Sequence, residues 1–373
     1  MKCVHHGHPP CRRCQRQNRT GCELLDSRSS PLRPRKDSLR VQTTKQGASI
    51  QSPLSHSGVA AAASAAASDD NNPVSSLPAS TLISACDTYR KKFPVANFLH
   101  YPSLIANIST NPASVDPVFL AALLSLCSRF LPDHGLAPRE TYAEYARTEL
   151  ARRAFEGPSL YLAQSLGMMT FYHWGAGQPY KAWMYSGMAT YMIQSLLKIA
   201  DDSMEQNPDE FDSSQVQYEQ LVRTYWCCFA QDCELSSGAR QHFALSFHQI
   251  SMPLPIGDQE FNFGHAGAIR WMPADLTGGS LRGKLTIDHG LTVVTRGFDI
   301  FVRILRFANE SRRGRAMHPP SPQATWQTLK HELDEWRSLQ DLTVHYPATS
   351  AQAHVALGYG ELFAYINLIY FMK

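Results

Sequence analysis

No apolar run in this 373-residue sequence approaches the 18 residues that a membrane-spanning helix requires, so no span and no membrane partner are expected. The N-terminal stretch has no apolar h-region, so no secretory signal is expected in it. In a chain that is not exported, clustered cysteines are more often metal ligands than disulfides. The patterns G-x-x-x-x-G-K, G-x-S-x-G and H-E-x-x-H are all missing, which removes the P-loop, the nucleophile elbow and the zincin helix. Fifteen histidines are scattered without a clear carboxylate partner, and no enzyme is expected. Strand signals are scarce and no internal repeat is visible.

Acidic residues are also scarce near the start. Residues 1–50 carry eleven Lys/Arg against Glu23, Asp26 and Asp37, a local charge of +8 that leaves the rest of the chain at −5 of the total +3. A basic arm on a mildly acidic body suggests a polyanion partner, nucleic acid first, with a merely solvated tail as the alternative.

Three regions follow. Residues 1–24 hold four cysteines, 25–92 read as a basic, Ser- and Ala-rich linker, and 93–373 read as an all-α body. The linker has no sustained heptad and too little apolar surface to offset its ordering entropy. In the body, Asp116-Pro117 pairs an N-cap with proline at the first helical position, opening PVFLAALLSLCSRFL. Thr141 is expected to cap TYAEYARTELARRAF. Helical spacing continues through SLYLAQSLGMMTFYHW, KAWMYSGMATYMIQSLLKI and SSQVQYEQLVRTYWCCFAQDCELSS. Residues 252–280, punctuated by Pro and Gly, read as a long irregular loop. Helices are expected again at LTIDHGLTVVTRGFDIFVRILRFANE, TWQTLKHELDEWRSLQ and AHVALGYGELFAYINLIYFM. Cys86, Cys127, Cys227, Cys228 and Cys233 sit in apolar surroundings and read as buried free thiols.

The cluster has the spacing C-x7-C-x2-C-x7-C at Cys3, Cys11, Cys14 and Cys22. The C-x2-C pair lets two thiolates reach one tetrahedral ion, and the outer two can close a Zn²⁺ shell. His5, His6 and His8 read as solvated loop residues rather than ligands. Residues 1–24 have too little apolar area to fold unaided, and a structural zinc supplies roughly 10–16 kcal/mol. Lys2, Arg12, Arg13, Arg16 and Arg19 surround the thiols with charge that lowers thiol pKa and can meet DNA phosphates. Arg33, Arg35 and Lys36 can act as a basic arm, serve as a nuclear import signal, or only aid solubility.

This stretch resembles the second half of the fungal zinc binuclear cluster, a six-cysteine, two-zinc module. In PPCRRCQRQNRTGCE, Cys11, Cys14 and Cys22 match its last three cysteines, Cys3 matches the third, and Lys2 and Pro10 match flanking positions. On that resemblance the first C-x2-C and the base-reading basic helix are missing. Met1 is therefore expected to be an internal methionine of a longer protein, and at most one well-formed zinc site is expected. A single Cys₄ zinc shell and a non-functional remnant remain the alternatives. Residues of roughly 93–270 resemble the middle homology region of the same regulators, in LGMMTFYHWGAGQPYKAWMYSGMATYMIQSLLKI and in RTYWCCFAQDCELSSGARQHFALSFHQISMPLP. Arg223, Trp226, Phe229, Asp232, Gly238, Arg240 and Pro255 occupy the signature positions. The family's usual Gly-Arg-Pro is replaced by Gly-Ala-Arg-Gln at 238–241.

These residues read as structural. Val222, Trp226, Phe229 and Cys233 share a helix face, and Asp232 is expected to pair with Arg223 or Arg240. The resemblance implies a nuclear transcription regulator of the RNA polymerase II type with zinc-dependent, sequence-specific DNA binding. A homodimer and a small-molecule effector are possible further partners. The abrupt end at Lys373 also suggests a longer chain. Two rivals stand beside this reading. One is a non-DNA-binding helical interaction or effector-sensing protein. The other is a terpene-cyclase-like metal motif at Asp201, Asp202 and Glu205, disfavoured because DDSMEQNPDEFD reads as an exposed loop.

Overall fold

A computed structural model describes residues 72–206, 211–237, 247, 250–264, 270–277, 281–312 and 321–371, without the side chains of 204–206 and 211–214. The described residues form helices and connecting turns, with one isolated parallel bridge between Leu285 and Gln340. The helices are α1 (Ala79–Lys92), α2 (Tyr101–Thr110), α3 (Pro117–Cys127), α4 (Arg139–Arg153), α5 (Leu160–Gly175) and α6 (Pro179–Gln206). They continue with α7 (Phe211–Ser236), α8 (Asp258–Phe263), α9 (Gly290–Arg312), α10 (Pro322–Ser338), α11 (Ala351–Ala356) and α12 (Gly360–Phe371). The body is all-α, as expected. No described helix is long and apolar enough to cross a membrane.

Two helices carry the core. In α3 every residue after Pro117 is buried, because the helix is apolar all round and α1, α4 and α5 enclose it. Its N-cap is Asp116, whose Oδ1 accepts from the Val118 amide at 2.9 Å. The same carboxylate takes Arg153 of α4 at 2.6 Å, so one side chain starts α3 and ties down the end of α4. The second central helix is α7. It packs on α5 and α6 on one side and on α9 on the other, and α9 then packs on α10 and α12.

Helix α1 revises the expected linker boundary. Leu82, Ala85, Cys86 and Tyr89 recur at helical spacing, are buried, and pack the helix against α2 and α3. The Ala/Ser composition just upstream hid that stripe. The helical body therefore starts near residue 79, while 25–71 lie outside the described residues. Thr141 does not cap α4: that helix begins at Arg139 with Pro138 as N-cap, and Thr141 sits in its first turn.

Helix α6 runs to Gln206, so Asp201 and Asp202 lie on a helix rather than in a loop. Asp202 pairs with Lys198 at 2.5 Å on the surface. The expected last helix is two, α11 and α12, because Gly358 takes φ +82° and closes a Schellman turn. The Tyr359 amide returns to the His354 carbonyl at 2.8 Å and the Gly358 amide to that of Val355 at 3.1 Å. Gly177, at φ +69°, makes the same turn between α5 and α6 and sets them side by side.

Packing of α9 on α10 and α12 depends on a missing side chain. A Cβ on Gly297 would lie 2.7 Å from Cζ2 of Trp336 and 3.1 Å from Cδ1 of Ile369. Trp336 cannot yield, since it is fully buried and its Nε1 donates to the Val293 carbonyl at 2.9 Å. Gly297→Ala gains about 1 kcal/mol of helix propensity but loses about 1–3 kcal/mol to overpacking. We expect a net destabilisation of up to about 2 kcal/mol, seen as a lower urea midpoint at unchanged slope.

Candidate functional site

Of the signature residues, Arg223, Trp226, Phe229 and Asp232 lie on α7 and Pro255 on the strap 253–258. Val222, Trp226, Phe229 and Cys233 form one buried face, as their spacing predicts. Trp226 and Phe229 meet edge to face with centroids 5.6 Å apart, and Phe247 packs on both at 5.7 and 5.9 Å. The Arg296 guanidinium of α9 stands over the Phe247 ring at 4.9 Å, carrying the contact to the next helix.

Arg223 points away from this face into a fully enclosed site. Its Nε donates to Glu219 Oε1 at 3.0 Å, one turn back on α7. Nη1 donates to Asp258 Oδ1 at 2.7 Å and to the Asn97 carbonyl at 3.2 Å. Nη2 donates to the Ile256 carbonyl at 2.6 Å, and the guanidinium face lies 4.2 Å from the Phe261 ring centroid. Glu219 is buried as deeply. Its Oε1 also accepts from the Ile256 amide at 3.1 Å, and its Oε2 from Arg270 Nη1 at 2.6 Å. Asp258 Oδ2 accepts from Asn97 Nδ2 at 2.9 Å. Two cations thus face two carboxylates, and the cluster is neutral. Burial opposes the Arg223 charge, but Asp258 and Glu219 outweigh it and hold the guanidinium more firmly protonated than usual.

Asp232 does not pair with Arg223: it is buried but lies nine residues along α7 from it, about 13 Å of helix rise, beyond the reach of a salt bridge, while Arg240, the other expected partner, lies outside the described residues. The actual partners escaped sequence reading for two reasons. Glu219 is an ordinary i, i+4 neighbour, and Asp258 lies in the loop where periodicity fails. Gly238 and Arg240 lie outside the described residues, as do Lys2, Cys3, Cys11, Arg12, Arg13, Cys14, Arg16, Arg19, Cys22, Arg33, Arg35 and Lys36. Among the described residues no group of three or more His, Cys, Asp or Glu is arranged to hold a metal ion.

Chemically, the arrangement is a clamp on the strap 253–258. Pro253 and Pro255 have no amide hydrogen, so their stretch offers mainly carbonyls. Those carbonyls are met in turn: Trp226 Nε1 donates to Pro253 at 2.8 Å, Thr292 Oγ1 to Pro255 at 3.0 Å, and Arg223 to Ile256. The signature proline therefore joins α7 to α9. The five described cysteines are free and buried, and burial raises each thiol, Cys228 to about 12, away from reactive thiolate chemistry.

The comparisons agree with this placement. Residues 87–274 match the fungal specific transcription factor domain, half of the sequence, and the chain belongs to that family. An uncharacterized transcriptional regulatory protein of Schizosaccharomyces pombe is 24% identical over 291 residues, 74% of this chain and 29% of its own length. A Zn(2)-C6 fungal-type transcription factor of Fusarium oxysporum f. sp. lycopersici is 24% identical over 178 residues, 45% of this chain and 19% of its own. A further S. pombe transcriptional regulatory protein is 28% identical over 190 residues, 47% and 26% respectively. The chain spans less than a third of each relative's length. No solved structure matches it.

Two predictions follow from the geometry. Arg223→Met leaves Glu219 and Asp258 as buried, uncompensated anions and should cost about 3–5 kcal/mol by urea unfolding. Arg223→Lys should recover only part of that, because an ammonium cannot reproduce the fork.

The second prediction concerns Glu234 near the end of α7. The residue as a whole is half-buried, but its carboxyl is enclosed against Tyr365 of α12. Burial raises its pKa from 4.5 to about 7, against the lowering effect of the Tyr365 hydrogen bond. An acid with a raised folded pKa stabilises fully below its unfolded value and loses that contribution as pH rises through its folded value. From pH 4.5 to above 7, wild type should lose on the order of 3 kcal/mol relative to Glu234→Gln, measured by unfolding both proteins across that range.

Proposed function

We propose that the chain works as a nuclear transcription regulator of the RNA polymerase II type, in which Cys3, Cys11, Cys14 and Cys22 bind zinc and the all-α body regulates DNA binding. The observation that carries this reading is the match over 87–274 together with the burial of Arg223, Trp226, Phe229 and Pro255 at the points that lock the strap. The similarity to the Fusarium relative, a Zn(2)-C6 factor, supports the zinc assignment. The four thiolates would hold the ion. Lys2, Arg12, Arg13, Arg16 and Arg19 would bind phosphate and set the register on the duplex. Arg33, Arg35 and Lys36 would add an arm or an import signal.

The test is zinc binding and gel retardation of the full chain, with and without zinc, on GC-rich and scrambled duplexes. The reading expects zinc uptake that Cys14→Ser sharply lowers, and zinc-dependent retention with a preference between the duplexes. Salt-sensitive retention without zinc or sequence preference would leave only the basic arm at work. No retention at all would favour the helical interaction or effector-sensing reading.

A further inference from the structure

The stretch PPSPQATWQTLK leads into α10. Ser321 stands just ahead of the helix with Pro322 after it, and in the sequence Pro319 comes two positions before it. Ser321, Pro322 and Gln323 are all exposed. The Ser321 backbone is extended, at φ −57° and ψ 153°, as a residue before proline prefers. Its Oγ accepts from the Ala324 amide at 3.2 Å, a bond that leaves the hydroxyl hydrogen uncommitted. The neighbouring hydroxyls are spent differently. Thr325 donates to the Ser321 carbonyl at 3.2 Å, and Thr328 to the Ala324 carbonyl at 3.0 Å.

These features select a reagent. An exposed serine in extended backbone has the form in which an acceptor hydroxyl enters the cleft of a protein kinase. Pro322 has no amide hydrogen and a fixed φ, so it suits an enzyme that offers no acceptor to the amide after the serine. The residues such an enzyme reads end at Pro322, at the mouth of the helix rather than within it.

We propose that Ser321 is a phosphorylation site for a proline-directed protein kinase, and that the phosphate fixes the start of α10. The step forms a bond from Ser321 Oγ to the γ-phosphorus of a nucleoside triphosphate. The bond from that phosphorus to the bridging oxygen breaks, and the nucleoside diphosphate leaves with the electron pair. The hydroxyl proton passes to the kinase's base. The product carries about −1.5 to −2 of charge at neutral pH. It sits where the helix dipole favours an anion, and α10 has no acidic residue in its first turn to repel it. The effect extends to α9. Glu332 of α10 accepts from Arg303 Nη1 at 2.9 Å and Arg296 Nη2 at 3.1 Å, and Trp336 Nε1 donates to the Val293 carbonyl. The site works whether or not the cysteines hold zinc.

The test incubates the full chain with a proline-directed kinase and adenosine triphosphate, then maps the tryptic peptide 316–330 by mass spectrometry, with the free peptide of those residues as control. Phosphate is expected on Ser321 and not on Thr325 or Thr328, at comparable rates in the chain and the peptide. Pro322→Ala, with unchanged far-UV circular dichroism, should lower the rate at least about tenfold. In the phosphorylated chain the amides at 324–326 should exchange about two- to fivefold more slowly. A free peptide that is labelled while the folded chain is not overturns the site, as does an absence of label on both. A Pro322→Ala variant labelled like wild type overturns the proline-directed recognition. Exchange at 324–326 that is unchanged or faster overturns the effect on α10.

Discussion

The body depends on one buried guanidinium. Arg223 binds two carboxylates, two backbone carbonyls and an aromatic face from segments more than a hundred residues apart in sequence. Removing a charge of this kind from water is expensive, and the cost is offset only when the partners are equally fixed. Here they are, because Glu219 and Arg270 complete a neutral group of four. The irregular stretch 253–256 precedes helix α8 and has no helical bonds of its own, so its buried carbonyls need donors. Arg223, Trp226 and Thr292 provide them. Without that set, α7 would lose its connection through the strap to α9.

This explains why the signature segment reads as structural rather than chemical. Its charges compensate each other, and its thiols are raised by burial. Around it, Phe247 and Arg296 extend the packing from α7 into α9. There a second ion cluster of Arg296, Asp299, Arg303 and Glu332 joins α9 to α10. The result is a body in which α7, α9 and α10 are tied in turn by buried polar groups.

Much of the fold was legible in the sequence because helices announce themselves by period and cap. Asp116-Pro117 marked the start of α3, and Val222, Trp226, Phe229 and Cys233 marked the inward face of α7. Thr141 misled because a good capping residue can also sit in the first turn of a helix that starts earlier. Helix α1 was missed because four apolar positions follow a long Ala/Ser tract. The α11–α12 break was missed because Gly358 reads as tolerable within an apolar helix until its positive φ is seen. The Arg223 site was half legible: the arginine stood out, but Asp258 acts on it from a segment with no period to place it. The cysteine cluster was legible as spacing, and its residues lie outside those the structure describes.

The most direct test of the clamp is amide hydrogen exchange across 253–258, where Pro253 and Pro255 leave few amides and Ile256 donates to the buried Glu219. Exchange should be slow at Leu254 and Ile256, close to the protection of α7, and Glu219→Gln should release Ile256 before it releases the helix. Rapid exchange at Ile256 in wild type, at the rate of an open loop while α7 stays protected, would contradict the account.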